Sequence, residues 1–187
     1  MLHELVVYTG PMFSSKTSKL LMKLEKYRFK NKNIIAFKPK IDNRYSEECI
    51  VTHSGWQFPA IPISSGEEIF DYIKKHKLKK FDVIAVDELF MIKDLSNALI
   101  SAYCNSYNVV ISTLDLSAQL TMFDEIKQIL PWATHVEKCT AVCTICGNDA
   151  QYTFKKSTKN NKQIIEVGGK EKYEPRCFKH HPMIKLL

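Results

Sequence analysis

Apolar positions along this chain fall into two alternating patterns. Short unbroken runs, Leu5-Val6-Val7-Tyr8, Ile34-Ile35-Ala36-Phe37, Val83-Ile84-Ala85-Val86 and Val109-Val110-Ile111, predict strands buried on both faces. Between them, Leu20, Leu21, Leu24 and Tyr27 recur at helical spacing, with Lys19, Lys23, Lys26 and Lys30 turned elsewhere. Ile69, Phe70 and Ile73 mark a second buried helix face, and Leu95, Leu99 and Ala102 a third. Ser64-Ser65-Gly66-Glu67-Glu68 offers two overlapping capping boxes before the second helix, Ser64 with Glu67 or Ser65 with Glu68. Asp124 to Leu130 predicts a short helix stopped by Pro131. Strands alternating with helices predict an α/β fold: a mainly parallel sheet flanked by helices.

The polar stretches sit where such a sheet binds ligands. Lys38 to Glu48 follows the end of the second strand, which makes Asp42, Arg44 and Tyr45 site candidates. Asp115 to Phe123 follows the fourth strand in the same way. Thr52-His53-Ser54-Gly55 predicts a turn between short extended pieces.

Past Val136 the pattern changes, and the chain divides into residues 1–139 and a smaller unit, 140–187. Cys143-x-x-Cys146 and Cys177-x-x-His180 are two ligand pairs thirty residues apart. Four soft ligands in two such pairs fit a closed, tetrahedral structural zinc site, with His181 as an alternative to His180. Cys49, Cys104 and Cys139 have no partner pattern. Gln151–Phe154 and Ile164–Val167 alternate like two strands of a hairpin, joined by a mobile lysine-rich segment, Lys155–Lys162. Gly168-Gly169 before Tyr173 permits a sharp loop whose backbone approaches a ligand closely, a lid pinned by the zinc.

Composition changes this picture little. The 187 residues suit one domain with a small appendage. The net charge of +7 is nearly all lysine, with Arg28, Arg44 and Arg176 the only arginines. Its densest run, Lys74 to Lys80, is explained by a solvated helix end, so no nucleic-acid partner is inferred. The start shows no signal-peptide pattern and no apolar run is long enough to span a bilayer, which predicts an intracellular protein without a membrane partner.

The chemistry begins at Gly10-Pro11-Met12-Phe13-Ser14-Ser15-Lys16-Thr17, between the first strand and the first helix. The pattern G-x-x-x-x-G-K-[ST] cradles phosphates with backbone N–H groups, a lysine for the β/γ-phosphates and a hydroxyl for Mg²⁺. Only Ser15 departs from it, where the pattern has glycine. If that position is left-handed, serine costs about 1–2 kcal/mol. About seventy residues on, a strand ends in Asp87-Glu88. In phosphate-loop NTPases such an aspartate holds Mg²⁺, directly or through water, and the next carboxylate can serve as base.

Taken together, these segments resemble the zinc-containing thymidine kinases of animals, bacteria and large DNA viruses. The resemblance is carried by Gly10–Ser14 with Lys16-Thr17, Lys38-Pro39 with Asp42–Tyr45, Thr52–Gly55, Val86-Asp87-Glu88, Thr140–Cys143 with Cys146, and Gly168-Gly169, Lys172-Tyr173 and Cys177. It implies a phosphate-loop NTPase-like sheet with a small zinc-binding β lobe carrying a "lasso" loop. It also implies ATP-dependent phosphorylation of the 5′-hydroxyl of thymidine or deoxyuridine, for DNA precursor salvage. Lys16 would stabilise the transferring group, Thr17 and Asp87 would hold Mg²⁺, Glu88 would be the base, and Arg44 would add a phosphate contact. Met12, Phe90 and Phe123 would line the base pocket, with Val167, Gly168 and Tyr173 holding the base's polar edge. Cys143, Cys146, Cys177 and His180 would hold zinc. A cytoplasmic homotetramer is implied as well. The departures are Ser15, Phe90 where the family has glutamine, Ala118 for an aromatic, Met122 for a proline, and a histidine as fourth zinc ligand where cysteine is common. Ser15, Phe90 and Ala118 support a second reading, a homologue that binds nucleotide or a partner without efficient turnover.

Overall fold

The computed structural model describes residues 3–76, 80–156 and 165–184. In chain order the elements are β1 (Leu5–Thr9), α1 (Lys16–Phe29), β2 (Ile34–Pro39), β3 (Cys49–Val51), β4 (Gln57–Pro59) and β5 (Ile61–Ile63). Next come α2 (Glu67–Lys75), β6 (Val83–Val86), α3 (Leu95–Cys104), β7 (Asn108–Thr113), α4 (Asp124–Ile129) and β8 (His135–Lys138). The chain ends with β9 (Ala141–Val142), β10 (Asp149–Ala150), β11 (Tyr152–Lys155) and β12 (Tyr173–Arg176). Six strands form one parallel sheet in the order β5-β2-β6-β7-β1-β8.

Successive residues of each strand point to opposite faces, which is why unbroken apolar runs were needed. Leu5, Val7, Ile35, Phe37, Ile84, Val86, Val109 and Ile111 face the layer holding Ile69, Leu95, Leu99 and Ile126. Val6, Tyr8, Ala36, Val83, Ala85 and Val110 face α1 through Leu20, Leu21, Leu24 and Tyr27. The β3–β4 hairpin adds Ile50 to that second cluster, with the predicted turn at 52–55 between its strands.

The sequence pattern shows four of the six sheet strands. The two it omits are the edges, β5 and β8. Edge strands need less apolar character and tolerate proline, and Ile61-Pro62-Ile63 and the mostly exposed His135-Val136-Glu137-Lys138 have those compositions. The cap of α2 also differs from expectation. Gly66 is its N-cap, with no side-chain cap bond, although Glu68 reaches back to accept from the N–H groups of Ser64 and Ser65. A Cβ at residue 66 would lie 2.4 Å from the carbonyl oxygen of Asp94, so glycine takes the place beside α3.

The C-terminal hairpin pairs differently as well. β9 pairs with β10, and β11 pairs antiparallel with Tyr173–Arg176, not with 165–167. Residues 165–167 form no strand; Ile165 packs on the main core instead. Pro175 inside β12 concealed the true partner. Ile164, residues 157–162 of the predicted mobile segment, and residues 77–79 of the lysine run lie outside the described residues.

Candidate active site

The C-terminal ends of β1, β6 and β7 meet on one side of the sheet, and the phosphate-loop motif starts there. Gly10 has φ +137°, and a Cβ on it would lie 2.3 Å from the carbonyl oxygen of Cys139, which bonds back to Thr9. Only glycine fits. Ser15 is left-handed, φ 58° and ψ 22°, as a glycine-coded position requires, and its side chain is exposed. Helix α1 begins at the next residue. The buried Lys16 ammonium donates to the carbonyl of Pro11 at 2.6 Å and to Ser14 Oγ at 3.4 Å. Burial pushes its pKa down, while the Glu88 and Asp87 charges pull the other way.

Asp87 and Glu88 leave the end of β6. Thr17 Oγ1 donates to Asp87 at 3.2 Å, and Ser112 Oγ donates to its Oδ1. Ser112 follows the β7 residue paired with Val86, so the parallel register sets it beside Asp87. Burial raises the Asp87 pKa against both hydrogen bonds. Glu88 is also left-handed, φ 53° and ψ 49°, a strained conformation for a non-glycine residue. Its Oε1 lies 3.7 Å from the Arg44 guanidinium and its buried Oε2 has no hydrogen-bond partner. Burial first, and then the Asp87 charge, raise its pKa to about 7.

Arg44 forks onto Asp42 with two bonds of 2.6 Å and donates to the carbonyl of Gly168 at 2.8 Å. Burial works against the Asp42 carboxylate, but Arg44 outweighs it and keeps Asp42 ionised at lower pH than usual. Two cavities meet at these residues; the larger of this pair, about 880 Å³ when its solvent-open space is counted, runs along residues 12–18 to Tyr45 and His53. The second, about 500 Å³, is lined by Met12, Phe90, Leu114, Ala118, Gln119, Phe123, Thr153, Gly168 and Tyr173, among others. Met12, Arg44 and Glu88 line both.

Most of the residues singled out from the sequence line one or both of these cavities. Phe90 and Phe123 pack with centroids 4.6 Å apart and their planes tilted by 38° in the smaller cavity, and the Tyr173 hydroxyl donates to the carbonyl of Glu166 at 2.9 Å. Gly10 and Pro11, the first two residues of the loop, do not line either cavity. Val167 does not line the smaller cavity; its carbonyl accepts from Lys172 Nζ. Sequence reasoning missed Ser112 and Thr153, and it gave no role to Lys38, whose buried ammonium bonds the carbonyls of Ser46 and Cys49. Ser112 had one weak signal, a hydroxyl at the end of an otherwise apolar strand.

In the C-terminal lobe, Cys143, Cys146, Cys177 and His180 bring one ligand atom each within 4.8 Å of one another. The Cys146–Cys177 sulfurs are 3.7 Å apart, and His180 Nδ1 is 3.2 and 3.8 Å from the sulfurs of Cys177 and Cys143. Zinc–sulfur bonds of about 2.3 Å in a tetrahedron put ligand atoms about 3.8 Å apart, so the set fits such an ion. Burial opposes the Cys143 thiolate, but backbone N–H groups of Cys177, Ile145 and Cys146 lower its pKa to about 6. His181 turns away, its Nε2 on the carbonyl of Thr153.

Comparison with known proteins adds two findings. A family model described as "Thymidine kinase" matches residues 3–181. Among solved structures, that of the Legionella pneumophila ATPase DotB matches with a TM-score of 0.48 and 14% identity. The match covers 80% of this chain and 44% of that one, so the chain spans less than half of that protein's length.

Proposed function

Since the chain belongs to the thymidine kinase family, we propose that it transfers the γ-phosphoryl group of ATP to the 5′-hydroxyl of thymidine or deoxyuridine. The supporting observation is Glu88: largely buried, with a free oxygen and a pKa near neutrality, on the wall shared by both cavities. ATP occupies the larger cavity with its phosphates on residues 12–17, and the nucleoside occupies the smaller one between Met12, Phe90, Phe123 and Tyr173. Glu88 takes the hydroxyl proton, the new O–P bond forms as the β–γ bridge breaks, and ADP leaves. Lys16 exchanges the Pro11 carbonyl for the γ-phosphate, and Arg44 lies close enough to share the charge. Thr17 and Asp87 would hold Mg²⁺, which neutralises phosphate charge. The Cys₃His cluster would hold a structural zinc, giving the C-terminal lobe a core that its few apolar residues do not supply. On the family's precedent, the enzyme is a cytoplasmic homotetramer serving nucleoside salvage.

A radiolabelled transfer assay with the four natural deoxynucleosides and deoxyuridine tests this: label should appear in thymidine or deoxyuridine monophosphate only. A second reading, nucleotide binding without efficient turnover, draws on the strained Ser15 and on Phe90 and Ala118 in the smaller cavity. It predicts ATP binding with no labelled product.

A further inference from the structure

The Cys/His cluster and the phosphate loop lie far apart in sequence, yet a short run of hydrogen bonds joins them. Thr153 on β11 is buried, and its Oγ1 accepts from the backbone N–H of Met12 at 3.0 Å. Its carbonyl lies 3.2 Å from Nε2 of His181, which is fully buried. A carbonyl only accepts, so Nε2 carries the proton and Nδ1 is a bare acceptor. That Nδ1 is buried without a partner, and the rings of Tyr152 and Phe154 flank the imidazole at 5.8 and 6.0 Å. The bond to Thr153 is thus the polar contact that fixes the ring, and His181 directly follows His180 of the cluster.

The other end of the loop is pinned separately, where Cys139 N–H donates to Thr9 and Gly10 backs onto Cys139. Met12 is the point at which the C-terminal lobe takes hold. We propose that Thr153 is a positioning residue for nucleotide binding: the cluster fixes His180, His181 fixes the Thr153 backbone, and the Thr153 hydroxyl holds the Met12 amide. The phosphate loop then keeps its triphosphate-binding shape only while the C-terminal lobe is in place. This rests on the reading that residues 10–17 hold nucleotide phosphates.

The test is calorimetric ATP affinity without nucleoside, with zinc content and hydrogen exchange at the Met12 amide measured alongside. Thr153→Val keeps the shape and removes the acceptor. It should weaken ATP binding about five- to twentyfold and deprotect the Met12 amide, with zinc content unchanged. Thr153→Ser should recover most of both. His181→Phe fills the same aromatic slot without donating, and should shift both readouts in the same direction; it decides the matter if Thr153→Val fails to fold. The proposal is overturned if Thr153→Val binds ATP within twofold of wild type, if Met12 protection is unchanged, or if Thr153→Ser loses as much as Thr153→Val. Wild-type protein that binds no ATP would sink the nucleotide reading alone, since Met12 exchange would still decide the coupling.

Discussion

Replacing Ser15 with glycine separates backbone strain from chemistry. Ser15 holds φ 58° and ψ 22° immediately before α1, with an exposed side chain and no cap bond. A non-glycine residue there costs about 1–2 kcal/mol. Glycine removes that strain but gives the unfolded chain extra freedom, worth about 0.4–1 kcal/mol in the opposite direction. The net gain lies within about 0–1.6 kcal/mol and centres on ~0.8 kcal/mol, or roughly 2–3 °C in Tm for a chain of this size. Because the loop already adopts the left-handed turn with serine in place, kcat should change by less than about threefold, under 0.7 kcal/mol in barrier. A β-branched residue is disfavoured more strongly at positive φ, so Ser15→Val should lower Tm below wild type. The assays are thermal melts of the three proteins and their steady-state kinetics at saturating ATP. A Tm that falls in Ser15→Gly, or a Ser15→Val protein as stable as wild type, would show that this position is not left-handed. A large rise in kcat would show that the serine obstructs the phosphates themselves.

Four other outcomes follow from the structure. The Glu88 pKa is raised to about 7 by burial and by Asp87, so kcat/KM should rise with pH through a limb near 7 as the base ionises; a limb near 4.5 would remove Glu88 from that role. The same shift destabilises wild type as pH climbs from the unfolded value through 7, so Glu88→Gln should match it below pH 4.5 and exceed it at pH 8. The gap at pH 8 should be at most about 3 kcal/mol, measured by denaturant melts. Metal analysis should find about one zinc per chain, and His180→Ala should lose it; a chain without zinc when freshly purified contradicts the cluster assignment. Arg44→Lys keeps a charge but loses the fork onto Asp42 and the reach to Gly168, and should raise the nucleoside KM several-fold more than the ATP KM.

How legible the molecule was depends on which forces shaped each part. Buried strands such as Ile34–Phe37 announce themselves because both faces must be apolar, and the loop at residues 10–17 is visible because close backbone approach demands specific residue types. The edge strands β5 and β8 carried no such pattern, since one side of each faces no neighbouring strand. The β11–β12 pairing was hidden by Pro175 and by the competing alternation at 164–167, whose Ile165 serves the core of the main sheet. Among site residues, Lys16, Asp87 and Glu88 were readable from spacing along one chain. Ser112 and Thr153 were not, because each acts through a partner that only the folded register brings near. The choice between His180 and His181 was likewise a question of direction, which spacing does not encode.

The central claim, that Glu88 on the wall between the two cavities activates a nucleoside hydroxyl toward ATP, is tested most directly by one comparison. Single-turnover transfer of labelled γ-phosphate to thymidine is measured for wild type and Glu88→Gln, with ATP affinity determined on both. The account predicts thymidine monophosphate from wild type, a loss of about 10²–10⁴-fold in the variant, and ATP affinity nearly unchanged. Undiminished transfer by Glu88→Gln, or no thymidine-dependent product from wild type that binds ATP, would contradict it.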